Sequence, residues 1–439
     1  MNASPCRSTL ILSMTIVALS ATGLRAQPAE PAPKVDIPFG FLSDPAEPPD
    51  DLLDAILTGK VSLNNRLRFE FADTTGRKSS FAATNRIRLG YGSKPFHGFS
   101  GFVEMENVAT LDADNYFVPA TSDGDPSRTV IADPTGTEVN QAFLRFQTDS
   151  VADSGASFEV KAGRQRIKLD DDRFIGNVGW RQFEQTYDAV RIQSNLGVEG
   201  LAVQYAYVWR VQRIFGPDGP NWDSDSHFIN VSYAARPELR ITPFLYLLDF
   251  EDDSPGNSVN TYGVRLTGDI ARQPDDEEDF YFAYEFTYAR QTDAGDNPVD
   301  FEADFLAVEG SAIKEGLGSA TAGYQFLGSD DGTAGFRFPL GTNHKFQGFA
   351  DQFLVTPATG LQDLYLGGSL DLPQGIKAAA TAHRFWSDEG GTDLGSEVDL
   401  TLSKRITPNW SVLLKAALFD GHNGQPDTAR VWAQTTFQF

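Results

Sequence analysis

Apolar and polar residues alternate with a period of two over most of this chain, from about residue 59 to the last residue. In Val61–Phe71 the apolar set is Val61, Leu63, Leu67, Phe69 and Phe71, while Ser62, Asn64, Arg66, Arg68 and Glu70 take the other face. Leu201, Val203, Tyr205, Tyr207 and Trp209 alternate in the same way with Ala202, Gln204, Ala206 and Arg210. Phe280, Phe282, Tyr284, Phe286 and Tyr288 alternate with Tyr281, Ala283, Glu285 and Thr287. Successive side chains of a strand point to opposite faces, so this period predicts two-sided strands and no helices. Turn-forming clusters divide the pattern into strands at 60–72, 82–92, 98–108, 138–148, 157–166, 185–195, 199–210, 226–235, 239–249, 259–271, 279–290, 302–311, 317–327, 361–370, 375–386, 395–405, 409–419 and 429–439. That makes about 18, an even number, as bacterial membrane barrels require.

The connections sort by length. Short ones fall at Ser93–His97, Leu196–Val198, Arg236–Glu238, Leu372–Gln374 and Thr407–Asn409. Long ones fall at Ala109–Thr137, Ile167–Glu184, Val211–Asp225 and Gly328–Gly360. If both termini are periplasmic, every short turn lands on the periplasmic side and every long loop outside, the usual asymmetry of an outer-membrane barrel. The last segment, Val431-Trp-Ala-Gln-Thr-Thr-Phe-Gln-Phe439, alternates and closes on Phe439, the form in which such strands are presented to the barrel-assembly machinery. The expected fold is all-β: a transmembrane antiparallel barrel with periplasmic termini, short periplasmic turns and longer extracellular loops.

Composition adds an address. Residues 1–26 read as a secretory signal peptide, with Arg7, an apolar run from Leu10 to Ala21 and a Leu24-Arg25-Ala26 cleavage site. Residues 27–58 form a Pro-rich acidic periplasmic tail, in which Asp51–Leu57 predicts one short helical turn with Leu52, Leu53, Ile56 and Leu57 on one side. The barrel domain is 59–439. The only cysteine, Cys6, lies in the leader, so no disulfide supports the mature chain, and a closed barrel supplies the alternative by pairing every backbone group. A mean hydropathy of -0.30 with 12% aromatic residues suits a chain in which only alternate residues meet lipid. The net charge of -24 excludes nucleic acid as a partner.

If the apolar face meets lipid, the other face lines the lumen. It carries Arg66, Arg68, Arg86, Arg88, Arg145, Lys161, Arg191, Arg210, Arg265, Lys415 and Arg430, together with acids such as Glu70, Glu104, Glu106, Glu159, Glu285, Glu397 and Asp399. Guanidinium forks fit carboxylates, sulfates and phosphates, which points to passage of anionic solutes. The plainer reading is that these cations pair with the inward acids and brace the wall. Strict alternation aims Arg164 and Arg166 outward unless they lie above the bilayer or beyond a bulge. The five histidines are scattered without metal-ligand spacing, and neither a catalytic constellation nor a cofactor motif stands out. His383 near Ser387 and Asp388 is the one arrangement that could suggest hydrolysis, and a wall histidine is the simpler account. Acidic loop tips at Asp223–Asp225 and Glu251–Asp253 read as solvated rather than calcium-binding.

Several segments together resemble the alginate-export family of outer-membrane barrels: Gly59-Lys60 leading into Asn65-Arg-Leu-Arg-Phe-Glu70, Gly136–Ala142, Gly163-Arg-Gln-Arg-Ile167, Asp172–Gly176, Gly179-Trp-Arg-Gln182, Gln185–Asp188, Asn343–Asp351 and Gly360–Tyr365. The resemblance covers most of residues 51–439 and is most specific over 163–188. It implies a monomeric 18-stranded barrel with a constricted basic pore for polyuronate or similar anionic saccharide. On that analogy Arg66, Arg68, Arg86 and Arg88 belong to the pathway, and Arg164, Arg173, Arg181 and Asp188 build a folded loop near the constriction. Loops 109–137 and 328–360 are the candidate lids, since no periplasmic turn is long enough to plug the pore. The alternative is a structural or adhesive barrel acting through its acidic loops.

Overall fold

The computed structural model describes residues 48–149, 155–236, 238–270 and 280–439. The expected signal peptide, the expected tail up to residue 47 and the turn around Gln273–Asp279 lie outside the described residues. Eighteen strands form one sheet: β1 (Lys60–Thr74), β2 (Ser80–Gly92), β3 (Phe99–Thr110), β4 (Gly136–Thr148), β5 (Phe158–Gln165), β6 (Thr186–Ser194), β7 (Leu201–Gln212), β8 (Trp222–Arg236), β9 (Leu239–Leu248), β10 (Val259–Ile270), β11 (Phe280–Asp293), β12 (Glu302–Lys314), β13 (Gly318–Leu327), β14 (Leu361–Leu372), β15 (Ile376–Trp386), β16 (Asp393–Thr407), β17 (Trp410–Gly421) and β18 (Thr428–Gln438). Every segment expected from alternation is a strand, with ends displaced by four residues at most. Each strand pairs antiparallel with the next, and β1 also pairs with β18 from Asn64↔Gln438 to Thr74↔Thr428, which closes the barrel. Closure removes both edges and satisfies the backbone inside a hydrocarbon layer.

Exposure follows the alternation in the sense opposite to that of a water-soluble protein. Phe69, Phe71, Phe81, Leu89, Leu366, Leu400 and Leu414 lie open on the outside, whereas Arg68, Glu70, Arg86 and Glu106 are buried inside. An apolar belt of this extent, joined across strands by pairs such as Phe71↔Phe81 and Phe71↔Val431, requires lipid.

Loops occupy part of the interior. Three long extracellular connections turn inward. The 111–135 connection forms a small external hairpin, Phe117–Val118 against Asp123–Gly124, and then dips so that Val130 and Asp133 meet wall arginines. The 166–185 and 328–360 connections run together, joined by a parallel bridge at Ile175↔Leu340 and by backbone bonds from Gly176 to Leu340 and from Thr342 to Asp172. Both loops expected to be lids therefore enter the lumen, together with a third between them.

Candidate functional site

The 166–185 connection crosses the barrel from wall to wall. At one end, the carbonyls of Gly179, Trp180 and Arg181 accept from Arg66 of β1 at 3.1 Å each, and the Arg181 guanidinium reaches Glu70 of β1 at 3.4 Å. At the other end, Asp171 lies 3.7 Å from Arg265 of β10, and Asp170 accepts from Asn230 of β8 at 2.7 Å. Strands β1 and β10 are nine apart whichever way the 18-stranded ring is counted, so these contacts lie on opposite walls. A segment anchored at both walls divides the lumen, and whatever passes must pass beside it.

The wall formed by β1, β2 and β18 is ionic. Cross-strand register sets Arg66 opposite Arg86, with Arg68 and Arg88 one inward position away on either strand. Arg68 is fully buried; it donates to Gln434 at 2.8 Å and to the Trp180 carbonyl at 2.5 Å, faces Asp133 at 3.4 Å, and stacks on Trp180 at 4.1 Å. Arg86 donates to Asn64 at 2.5 Å and lies 3.8 Å from Glu106. Arg88 pairs with Glu106 at 2.5 Å and Glu184 at 3.4 Å. Arg430 donates to Glu70, Ala350 and Val130. Burying so many cations is tolerable only because acids and carbonyls surround them. The match is incomplete: Nε of Arg66, Nε of Arg86 and one terminal nitrogen of Arg88 are buried with no hydrogen-bond acceptor among the described residues.

The Arg181 end of the crossing loop is latched to Asp351 and His344, which sequence reasoning did not single out, and through them to Lys415, one of the expected lumen cations. Asp351 accepts from Arg181 at 2.6 Å and lies 2.6 Å from His344 Nδ1, while His344 Nε2 lies 2.8 Å from Lys415 Nζ of β17. The ammonium sits over Phe349 and Trp180, and Trp180 stacks on His344 with rings 4.7 Å apart. Burial, with Lys415 and Arg181 adding to it, pushes the His344 imidazole down to about 3 in spite of Asp351. The Asp351 carboxyl, buried yet facing His344 and Arg181, is held well below the usual range. Gly348, at φ +78°, brings the backbone against the wall, where the amides of Phe349 and Ala350 donate to Asp399 and Glu397. A Cβ at Gly348 would overlap the Glu397 carboxylate.

The opposite wall is aromatic. Phe174 of the crossing loop touches Phe244 and Tyr246 of β9, Phe305 of β12, and Phe336 and Phe338 of the 328–360 loop, with ring centroids 4.8 to 6.3 Å apart. Arg173 stacks on Phe338 at 3.7 Å and Phe346 at 4.4 Å and donates to Gln347 at 2.8 Å. Burial lowers its pKa to about 9.

Other expected site residues fall into three groups. Arg145, Lys161 and Arg191 converge on Glu159 inside the periplasmic half, at 2.6, 3.5 and 3.0 Å. Arg265 is bidentate to Glu285 at 2.9 and 2.5 Å. Arg164, Asp188 and Arg210 are corrections. Register places them side by side on one face, while Gln165, Tyr187 and Val211 take the other; the Tyr187 hydroxyl donates to Gly176 of the crossing loop, so the second face is the lumen. Arg164 pairs with Asp188 at 2.8 Å and Arg210 with Asp223 at 2.7 Å, away from any pathway. A register shift at Asp188/Ala189 leaves Trp209 as an extra residue in β7, and that bulge turns Arg210 outward. Arg166, just past β5, points inward instead and pairs with Glu104 at 2.8 Å and Glu184 at 2.5 Å. These pairings, with Arg88, hold the Glu184 carboxyl far below its usual range despite burial.

Ser387 donates to the Glu389 carbonyl, and His383 instead pairs with Asp363 at 3.0 Å, so the two do not form a nucleophile–base pair. Among the described residues, no group of three or more His, Cys, Asp or Glu side chains could hold a metal ion.

Solved structures of low sequence identity share this barrel fold. OccAB4 of Acinetobacter baumannii superimposes with a TM-score of 0.63 at 15% identity, over 87% of this chain and 98% of that one. OpdL of Pseudomonas aeruginosa gives 0.63 at 14%, over 87% and 99%. OpdK of Pseudomonas aeruginosa, solved with vanillate, gives 0.62 at 13%, over 88% and 99%. The chain belongs to the alginate-export family, whose profile matches residues 72–389. No curated protein matches it in sequence.

Proposed function

We propose that the channel conducts anionic solutes of the uronate oligo- or polysaccharide type. Their path runs along the arginine wall of β1 and β2, beside the crossing loop. The observation that carries this reading is the unspent hydrogen-bonding capacity of adjacent guanidiniums. Among the described residues, Arg66, Arg86 and Arg88 each keep a buried N–H without an acceptor, on neighbouring positions of the lumen face of β1 and β2. Such donors cost free energy while unmatched, and a carboxylate would satisfy them once the 179–182 backbone that covers them shifts aside. The family's name supplies the uronate; the arginines supply the anion. Because most of these cations also hold wall acids, each solute contact replaces an existing one and stays weak enough to release.

Planar-bilayer recording tests the proposal. The wild-type channel is expected to prefer anions, and Arg66→Gln, Arg86→Gln and Arg88→Gln together should move selectivity toward cations and abolish block by oligouronate. Clear cation preference in the wild type, unchanged by the triple substitution, would sink it.

A further inference from the structure

The short helix α1 (Leu52–Leu57) precedes β1 and has no part in the channel reading. Four of its six side chains, Leu52, Leu53, Ile56 and Leu57, are 46–71% exposed. At 3.6 residues per turn these four share a sector about 140° wide. Asp51, Asp54 and the buried Ala55 occupy the remaining arc, with Asp51 capping the helix by accepting from the Asp54 amide at 2.8 Å.

The position of α1 is fixed by three contacts at the periplasmic rim. The Lys94 amide, in the β2–β3 turn, donates to the Ala55 carbonyl at 3.0 Å. The Tyr91 hydroxyl donates to the Ile56 carbonyl. Gly59 passes so close to Tyr91 and the Gly92 carbonyl that a Cβ there would overlap both. Tyr91, half-buried, lies on the same face of β2 as Ile87 and Leu89 and opposite Val61 of β1, and these three belong to the exposed apolar belt. A side chain pointing to the outside of the barrel therefore holds the helix, and α1 lies against the outer perimeter rather than beneath the lumen.

We propose that α1 is an interfacial anchor that lies on the periplasmic leaflet of the outer membrane. Its four apolar side chains would enter the boundary between headgroups and acyl chains, and its acidic arc would face water. The occupant is lipid because the patch continues the lipid-facing belt through Val61 and Tyr91, and because four side chains fall far short of the roughly 800 Å² per partner that a stable protein interface needs. The inference rests on the barrel's place in the membrane and is independent of which solute the channel carries.

Site-directed spin labelling of the full chain in phospholipid bilayers tests it, in a Cys6→Ser background that removes the only other cysteine. Nitroxides at Leu53→Cys and Leu57→Cys are expected to collide readily with oxygen and several-fold less with a water-soluble nickel complex. A label at Asp50→Cys should show the reverse. Leucine-site labels as open to the nickel complex as Asp50→Cys would overturn the proposal by placing the helix in water. Labels shielded from both reagents would overturn it by placing a protein surface on the patch. Heat-modifiable electrophoretic mobility confirms that each variant retains a folded barrel.

Discussion

The two ends of the crossing loop rest on opposite walls and are held by opposite chemistry. At the β1–β2–β18 wall, Arg181 and the 179–181 carbonyls enter a network of guanidiniums and carboxylates in which nearly every contact is charge-assisted. At the β8–β12 wall, Phe174 packs into five aromatic rings, and Arg173 stacks on one of these, Phe338, and on Phe346. Aromatic packing depends on shape and burial and is itself largely indifferent to salt and pH, so protonation acts at that end only through the flanking Asp170 and Asp171 contacts. The ionic end depends on protonation states and on a dielectric that excludes competing ions. The aromatic end therefore fixes the loop in place, and the ionic end, where the solute is proposed to pass, is the adjustable one.

The most severe way to break this comparison is to remove the fixed end. Phe336 is fully buried between Phe174, Phe305 and Phe338. Phe336→Ala should cost about 3–5 kcal/mol of loop docking. Hydrogen exchange over residues 172–176 and 335–340 is expected to accelerate strongly, and single-channel conductance to rise as the lumen opens. An unchanged exchange profile would mean that the ionic end alone suffices.

A smaller break comes at the ionic end. Asp351→Asn weakens the pairing of both Arg181 and His344, though Arg181 keeps Glu70. The expected cost is about 1.5–3 kcal/mol, the worth of hydrogen bonds to charged groups. Exchange should quicken at 179–182 and 343–351 while 335–340 stays protected. Equal loosening at both ends would show that the loop docks as a single unit and that the comparison has no energetic meaning.

The barrel was legible in the sequence because lipid and lumen impose a strict period of two, and closure forces short turns between the strands. The lumen was not. Residues inside it come from segments without periodicity, so Trp180, His344, Asp351 and Asp133 carried no pattern that could separate them from solvated loop. The resemblance flagged Gly179–Gln182 and Asn343–Asp351 as segments without saying what they touch. Phe336-Arg337-Phe338 held a usable hint, two aromatics on one face in a supposed surface loop. Arg210 was misplaced for a different reason: one bulged residue, Trp209, reverses every later side chain in the strand, and bulges leave no trace in an alternating pattern. That the wall arginines pair with inward acids was one of the two readings the sequence left open; which acids and loop carbonyls they meet was beyond reach, since that depends on which loops fold inward.

The finest distinction between the two ends is the sign of their response to acid. His344 ordinarily titrates near 6.5 and is pushed to about 3 when docked, among Asp351, Lys415 and Arg181. Its docked form is neutral, so its contribution is complete above pH 6.5 and is lost as pH falls toward 3, where the released histidine gains a proton that the docked one refuses. The depressed Asp351 adds a loss in the same direction at still lower pH. Asp170, at the other end, is pushed up to about 6 by burial, beside Asp171, Arg265, Glu285 and Asn230. A raised carboxyl favours docking fully below about 3.8 and loses that contribution as pH rises through 6. Between pH 6.5 and 4 the ionic end should therefore loosen while the aromatic end tightens. Hydrogen exchange at 343–351 and at 170–174, corrected for intrinsic rates, should diverge across that window. His344→Gln should flatten the first trend and Asp170→Asn the second, each with little effect on exchange at pH 7.5 beyond its own segment. Parallel trends at the two ends, or a divergence that survives both substitutions, would show that the pH response arises elsewhere in the lumen.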